Sequence, residues 1–200
     1  YKQKYLDFQI KNILKSYKRS KIIVVGSWEH LDNIVSPRVK YLNYNPNEIS
    51  NTGIAIKKAI QMVTPSSLAI MNVEMFFDTK ILGTTKIKNN SIIINNNSNF
   101  KSKIGCTIDN NKVSFVFYDL DNKACEFIYI NKKSFQQCKD IVQRYVSNGM
   151  YLFEIINTLI ENNVEIKPYN INKNIYHLYD TKDLNKIRNC IKRTQKHVSV

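Results

Sequence analysis

Apolar residues recur along the first third of the chain in two alternating rhythms. Leu6, Ile10, Ile13, Leu14 and Tyr17 fall on one face of a helix over residues 5–17. Residues 21–26, Lys-Ile-Ile-Val-Val-Gly, form a continuous apolar run closed by glycine, the pattern of a strand buried on both faces. A short helix is predicted over 29–35, ending before Pro37. A second strand over 39–44 stops at the turn Asn45-Pro46-Asn47. Ile56, Ala59, Ile60 and Val63 mark a helix over 53–63, and residues 67–71 a third buried strand. Helix and strand alternate with short connections, which predicts an α/β domain around a mostly parallel sheet, with the strands near 22–25, 41–44 and 68–71 as neighbours.

From residue 90 the rhythm changes. Short apolar runs over 91–95, 103–109, 113–118 and 125–130 are separated by Asn- and Asp-rich turns, which predicts a mixed or antiparallel extension. Ser134 and Gln137 have the spacing of a capping box at the head of a helix carrying Phe135, Cys138, Val142, Tyr145 and Val146 on one face. A further helix over 150–162, strands over 164–168 and 175–179, and a last helix capped by Thr181 complete the reading. That helix turns Leu184, Ile187 and Ile191 inward. The Asn-rich tract 95–99 reads as a loop tip, the basic tail 192–200 as loose, and the whole chain 1–200 as one domain.

Composition narrows the class. With 200 residues and 43% hydrophobic content the chain can bury a core without metal or disulfides. No apolar run approaches the roughly 18 residues of a membrane span, and Tyr1-Lys2-Gln3-Lys4 carries no signal-peptide pattern. Cys106, Cys125, Cys138 and Cys190 are not spaced as close ligand pairs, which predicts reduced thiols in a cytoplasmic protein rather than a zinc site. The net charge of +14 points to an anionic partner, or to the Lys- and Asn-rich style of an AT-rich genome; the basic residues are scattered along the sequence. No nucleic-acid-binding module or base-stacking motif accompanies them.

Four segments, in order, resemble the sugar-phosphate and choline-phosphate nucleotidyltransferases. Leu6-Asp7-Phe8-Gln9-Ile10 leading into Ile22-Ile23-Val24-Val25-Gly26 is similar to that family's helix and second strand. Asn45-Pro46, then Ser50-Asn51-Thr52 and the helix to Ala59, is similar to its base- or sugar-contacting loop. Leu68 through Asp78 resembles the strand whose end holds a metal-binding Asp. Phe153-Glu154-Ile155-Ile156-Asn157, with Leu178-Tyr179-Asp180-Thr181-Lys182-Asp183-Leu184, resembles the segments whose acids supply the other ligands.

The resemblance implies a Rossmann-like, three-layer fold of the glycosyltransferase-A type, with Mg²⁺ as cofactor. It implies Glu74 and Asp180 as metal ligands, and Asn51 and Thr52 as nucleotide contacts, converging on one cleft. The implied partners are an NTP and a phosphorylated small molecule, with pyrophosphate as product.

The departures are specific. The 200 residues hold no Gly-rich loop with Arg followed by Lys-Pro, the device with which the family neutralises the triphosphate. Val73-Glu74 stands where the family has Gly-Asp, Leu178 where it has an acid, and Ala55 where it has Ser. The chain as given is therefore expected to be a poor catalyst. The alternative is a degenerate homologue serving as a binding or assembly module with other protein subunits, in a composition that suits a phage or large virus. Trp28, His177, Lys2 and Lys4 have ordinary packing or surface roles in this reading.

Overall fold

The computed structural model describes residues 2–26, 36–43, 52–77, 87–96, 100, 102–171, 175–177 and 181–196. The order is α1 (Lys2–Ser16), β1 (Ile22–Gly26), β2 (Val39–Asn43), α2 (Thr52–Gln61), β3 (Leu68–Met71), β4 (Met75–Phe77), β5 (Ser91–Ile94), β6 (Ile104–Asp109), β7 (Lys112–Tyr118), β8 (Asn122–Ile130), α3 (Phe135–Tyr145), α4 (Leu152–Glu161), β9 (Lys167–Asn170), β10 (Ile175–His177) and α5 (Thr181–Lys196). The helix expected over 29–35 lies outside the described residues, as does most of the Asn-rich tract. The last helix runs through Lys196, so the first five residues of the expected loose tail are helical.

Strand β5 shows how the layers arise. All four of its residues are buried, and alternation sends Ile92 and Ile94 into one core and Ile93 into another. β8 repeats the division, with Ala124, Ile128 and Ile130 on the first side and Cys125 and Phe127 on the second. The first core is roofed by α2, α3 and α4 through Ile56, Ile60, Phe135, Val142, Ile156 and their neighbours. The second takes Met75, Phe100, Ile171 and Ile175. Two smaller cores seat α1: Leu6 and Ile10 pack on Val24 and Val39 of the β1–β2 pair, and Tyr5 meets Phe76 and Ile187 of α5.

β1 and β2 are parallel, as expected, pairing Ile22 with Val39 through Gly26 with Asn43. β5 and β9 are parallel as well. The main sheet runs β7-β6-β8-β5-β9, with β3 added on β8. Here the expectation needs correction. β3 was to sit beside β1 and β2 in a parallel sheet; its partner is β8, antiparallel, with Met71 opposite Phe127. An apolar run reports burial on two faces and carries no information about strand direction. β4, three residues long and antiparallel to β10, is too short to leave a periodic signal. The capping box at Ser134 does not form. Ser134 makes no side-chain cap bond, and its hydroxyl instead accepts from Asn90 Nδ2 at 2.9 Å.

Candidate functional site

The carboxyl end of β3 gathers the chemistry. Because β3 and β8 are in register with Met71 opposite Phe127, the next pair is Asn72 and Glu126. The Asn72 N–H donates to the Glu126 carbonyl at 3.0 Å, and Asn72 Nδ2 donates to the Glu126 carboxylate, also at 3.0 Å. Asn72 Oδ1 accepts from the Glu74 N–H at 3.1 Å, an Asx turn that folds the chain back after the strand. The turn fixes the backbone of Glu74 beside Glu126, so two half-buried carboxylates share one corner.

Burial pushes the Glu126 carboxyl above its ordinary value. The Asn72 hydrogen bond pulls it down and the negative charge of Glu74 pushes it up again. A positive charge placed between the two acids would relieve both unfavourable causes.

This corner suits a hard divalent cation such as Mg²⁺, which is commonly held by one or two carboxylates with water and substrate phosphates completing its shell. Among the described residues no group of three or more His, Cys, Asp and Glu side chains comes together as a full protein cage. Glu74 follows β3 in the turn after Met71, as the sequence reading placed it, but that strand is half-buried with Ala69 exposed, not buried as expected. Glu126 was missed. Its signal was present: a single charged residue inside the apolar run Cys125–Ile130.

Thr52 is the first residue of α2 and half-buried. The next residue, Gly53, is held against the turn before α4, where its N–H donates to the Met150 carbonyl at 2.9 Å. No hydrogen bond among the described residues joins Thr52 to Glu74. Asn51 and Asp180 lie outside the described residues.

The segment Phe153-Glu154-Ile155-Ile156-Asn157, expected to help supply ligands, is occupied otherwise. The Glu154 carboxylate accepts from the Tyr151 N–H at 2.7 Å at the head of α4. Asn157 pairs with the backbone of Val116 on β7 through both its amide oxygen and its amide nitrogen.

The three described thiols lie inside the fold. Cys106, Cys125 and Cys138 are buried and free. Burial pushes Cys106 up to about 11 and Cys138 to about 12, and raises Cys125 well above its ordinary value with help from Glu126. They are protonated at neutral pH and pack as small apolar groups. No described helix is long and apolar enough to cross a membrane.

No protein-family model matches the sequence, and no curated protein does. Solved structures do match. The inositol-1-phosphate CTP transferase of T. maritima superposes with a TM-score of 0.72 at 10% identity, covering 94% of this chain and 82% of that one. HddC from Yersinia pseudotuberculosis gives 0.65 at 17% identity, covering 92% and 84%; it has also been solved in complex with GMP-PN. The nucleoside-diphosphate-sugar pyrophosphorylase of Vibrio cholerae gives 0.60 at 10% identity, covering 88% and 84%.

The fold is that of the sugar- and inositol-phosphate nucleotidyltransferases. The Rossmann-like α/β architecture inferred from the four sequence segments is therefore present across nearly the whole chain, at identities where only the fold carries over.

Proposed function

We propose that this chain is the body of a nucleotidyltransferase-type domain, and that a nucleoside triphosphate binds with Mg²⁺ at the carboxyl end of β3. The carrying observation is the juxtaposition of Glu74 and Glu126 in a fold of this type, at the sheet edge where open α/β proteins take ligands. Glu74 is the primary ligand in this proposal, with Asp180 contributed from the segment before α5, and Asn51 and Thr52 facing the base or ribose. Asn72 sets the position of both glutamates.

In the reaction such a site supports, an oxygen of a sugar phosphate or similar phosphate attacks the α-phosphorus. The bond from that phosphorus to the bridging oxygen breaks, and pyrophosphate leaves. Mg²⁺ supplies neutralisation of the charge that builds on the leaving oxygens.

The 200 residues lack the Gly-rich loop with its Arg and Lys-Pro. Loss of one pre-organised charge-stabilising group typically costs about 10²–10³ in rate. Binding without useful turnover is the expected behaviour of this chain.

A second reading, a catalytically degenerate module that assembles with other subunits, is favoured by one surface feature. Phe115, Phe117, Tyr118 and Tyr151 are all more than 40% exposed and form one ring-to-ring network with Phe153, the make-up of an interface core.

Calorimetry with the four NTPs, with and without Mg²⁺, tests the first reading. Mg²⁺-dependent binding of at least one NTP, weakened about tenfold or more by Glu74→Gln, supports it. Absence of binding at millimolar NTP rejects it. Pyrophosphate release at about 1 s⁻¹, the low end of ordinary enzymes, would instead show that the charge-neutralising loop is dispensable.

A further inference from the structure

The positive charge of the chain is not spread through the fold. Residues 2–21 and 181–196, which comprise α1 with its following turn and all of α5, hold 13 of the 30 basic residues and only two of the 16 acids, Asp7 and Asp183. The other 164 residues hold 17 basic and 14 acidic side chains, close to balance. Drift toward Lys codons would enrich every segment, so composition does not account for this. The two helices stand at opposite ends of the sequence, yet they pack into the same small core, where Tyr5 and Phe8 of α1 meet Leu184, Ile187 and Ile191 of α5 around Phe76.

Lys11, Lys15 and Lys18 are exposed at helical spacing along α1 and its end, with Arg19 beside them; Lys186 and Arg188 are exposed on α5. Arg38 adds a further charge at the carboxyl end of α1, where its guanidinium donates to the Lys18 carbonyl at 2.8 Å. On α5, Lys186 pairs with Asp183 at 3.1 Å and the Arg188 guanidinium donates to Asn185 Oδ1 at 3.3 Å.

We propose that the outward faces of α1 and α5 bind the phosphate backbone of nucleic acid, without reading its sequence. The inference is independent of the nucleotidyltransferase reading, since it uses neither Glu74 nor Glu126. Nucleic acid fits better than an anionic membrane. A helix that lies on a bilayer needs an apolar face for the acyl boundary, and both helices have spent theirs: Leu6 and Ile10 on the β1–β2 pair, Tyr5 and Ile187 on Phe76. The faces left outward carry Lys, Arg and the exposed amides Asn185 and Asn189, the side chains that contact phosphate and sugar.

The test is fluorescence anisotropy of the whole chain with a labelled DNA duplex of arbitrary sequence across a KCl series. Two quadruple variants carry the same change in net charge: Lys11→Gln, Lys15→Gln, Lys18→Gln and Arg188→Gln on the proposed face, and Lys58→Gln, Lys103→Gln, Lys132→Gln and Lys133→Gln elsewhere, with melting curves to confirm that both fold.

Each phosphate contact contributes about 0.9 to the slope of log affinity against log salt. The face variant should lose about 3 from that slope and at least tenfold in affinity at low salt, and the control less than threefold. Equal losses in the two variants would reduce the effect to net charge and overturn the proposal. So would absence of duplex binding at low salt, or equal binding to phosphatidylserine vesicles.

Discussion

Asn157→Ala is expected to unseal one edge of the main sheet. β7 ends the strand order β7-β6-β8-β5-β9, and among the described residues its far edge meets other backbone at Val113, whose N–H donates to the Ile166 carbonyl at 2.8 Å, but no strand pairs with it at Val116. At Val116, whose residue is fully buried, the gap is filled by a side chain from α4: Asn157 Oδ1 accepts from the Val116 N–H at 2.9 Å, and Asn157 Nδ2 donates to the Val116 carbonyl at 2.8 Å. One amide thus stands in for one residue of a neighbouring strand. Truncation to alanine removes both bonds at once and leaves the N–H and carbonyl of Val116 facing α4.

Each buried polar group left unsatisfied costs about 1–3 kcal/mol, less where water enters. Asn157 is only partly buried, so water can reach part of the gap, and the net loss should be about 1.5–3 kcal/mol. For a chain of this length 1 kcal/mol is worth about 2–4 °C in Tm, which makes the expected fall roughly 3–12 °C. Urea unfolding gives the free energy, and amide hydrogen exchange resolved at Val116 gives the cause. Exchange there should accelerate more than at Ile128 in the sheet centre. A stability change below about 0.5 kcal/mol with unchanged Val116 protection would refute the edge-sealing role. The opened edge lies beside exposed Phe115 and Phe117, so the variant should also self-associate more on size-exclusion chromatography.

Two further outcomes follow from close packing and from charge. Gly105→Ala would press a Cβ into the Leu120 backbone carbonyl; backbone cannot rotate aside as a side chain can, so a loss of about 2 kcal/mol or more is expected in urea unfolding, and a change under about 0.5 kcal/mol would show that the 119–121 turn yields freely. Glu126→Gln should raise stability at neutral pH, because a carboxyl whose folded value lies above its unfolded one makes the fold lose stability as pH rises through that window. The advantage of the variant should shrink as pH falls toward 4. A variant less stable than the parent at pH 7 would contradict the assignment of burial as the dominant cause.

The sequence made legible whatever depends on local burial. Apolar runs at Ile22–Gly26, Leu68–Met71 and Ser91–Ile94 are strands, and the faces read on α1 and α3 are buried at Leu6, Ile10, Phe135, Cys138 and Val142, while Tyr17 and Tyr145 at the helix ends are exposed. It did not make legible whatever depends on pairing. Nothing in Leu-Ala-Ile-Met says that its partner is β8 and that the two run antiparallel, yet that pairing is what brings Asn72 and Glu126 together. Polar residues within motif-like stretches were similarly ambiguous. Glu154 lies in a stretch whose acids were expected to supply ligands, and it became a helix cap while Asn157 of the same stretch became a strand-edge plug, because a carboxylate or amide satisfies the nearest unpaired backbone group as readily as it binds a metal.

Charge shows the same limit at the largest scale. Along the sequence the basic residues read as scattered, since residues 22–180 separate the two segments that hold the excess. The shared core of Tyr5, Phe76 and Ile187 closes that distance. The self-repulsion of two cationic helices held together in this way costs stability that a dispersed arrangement would avoid. A polyanion bound across both faces would relieve it, so the duplex of the binding assay should also raise Tm. That rise should vanish in the face variant and survive in the control. A Tm indifferent to duplex at concentrations well above its Kd would mean that the ligand does not distinguish the folded chain from the unfolded one, and that these helices are not its site.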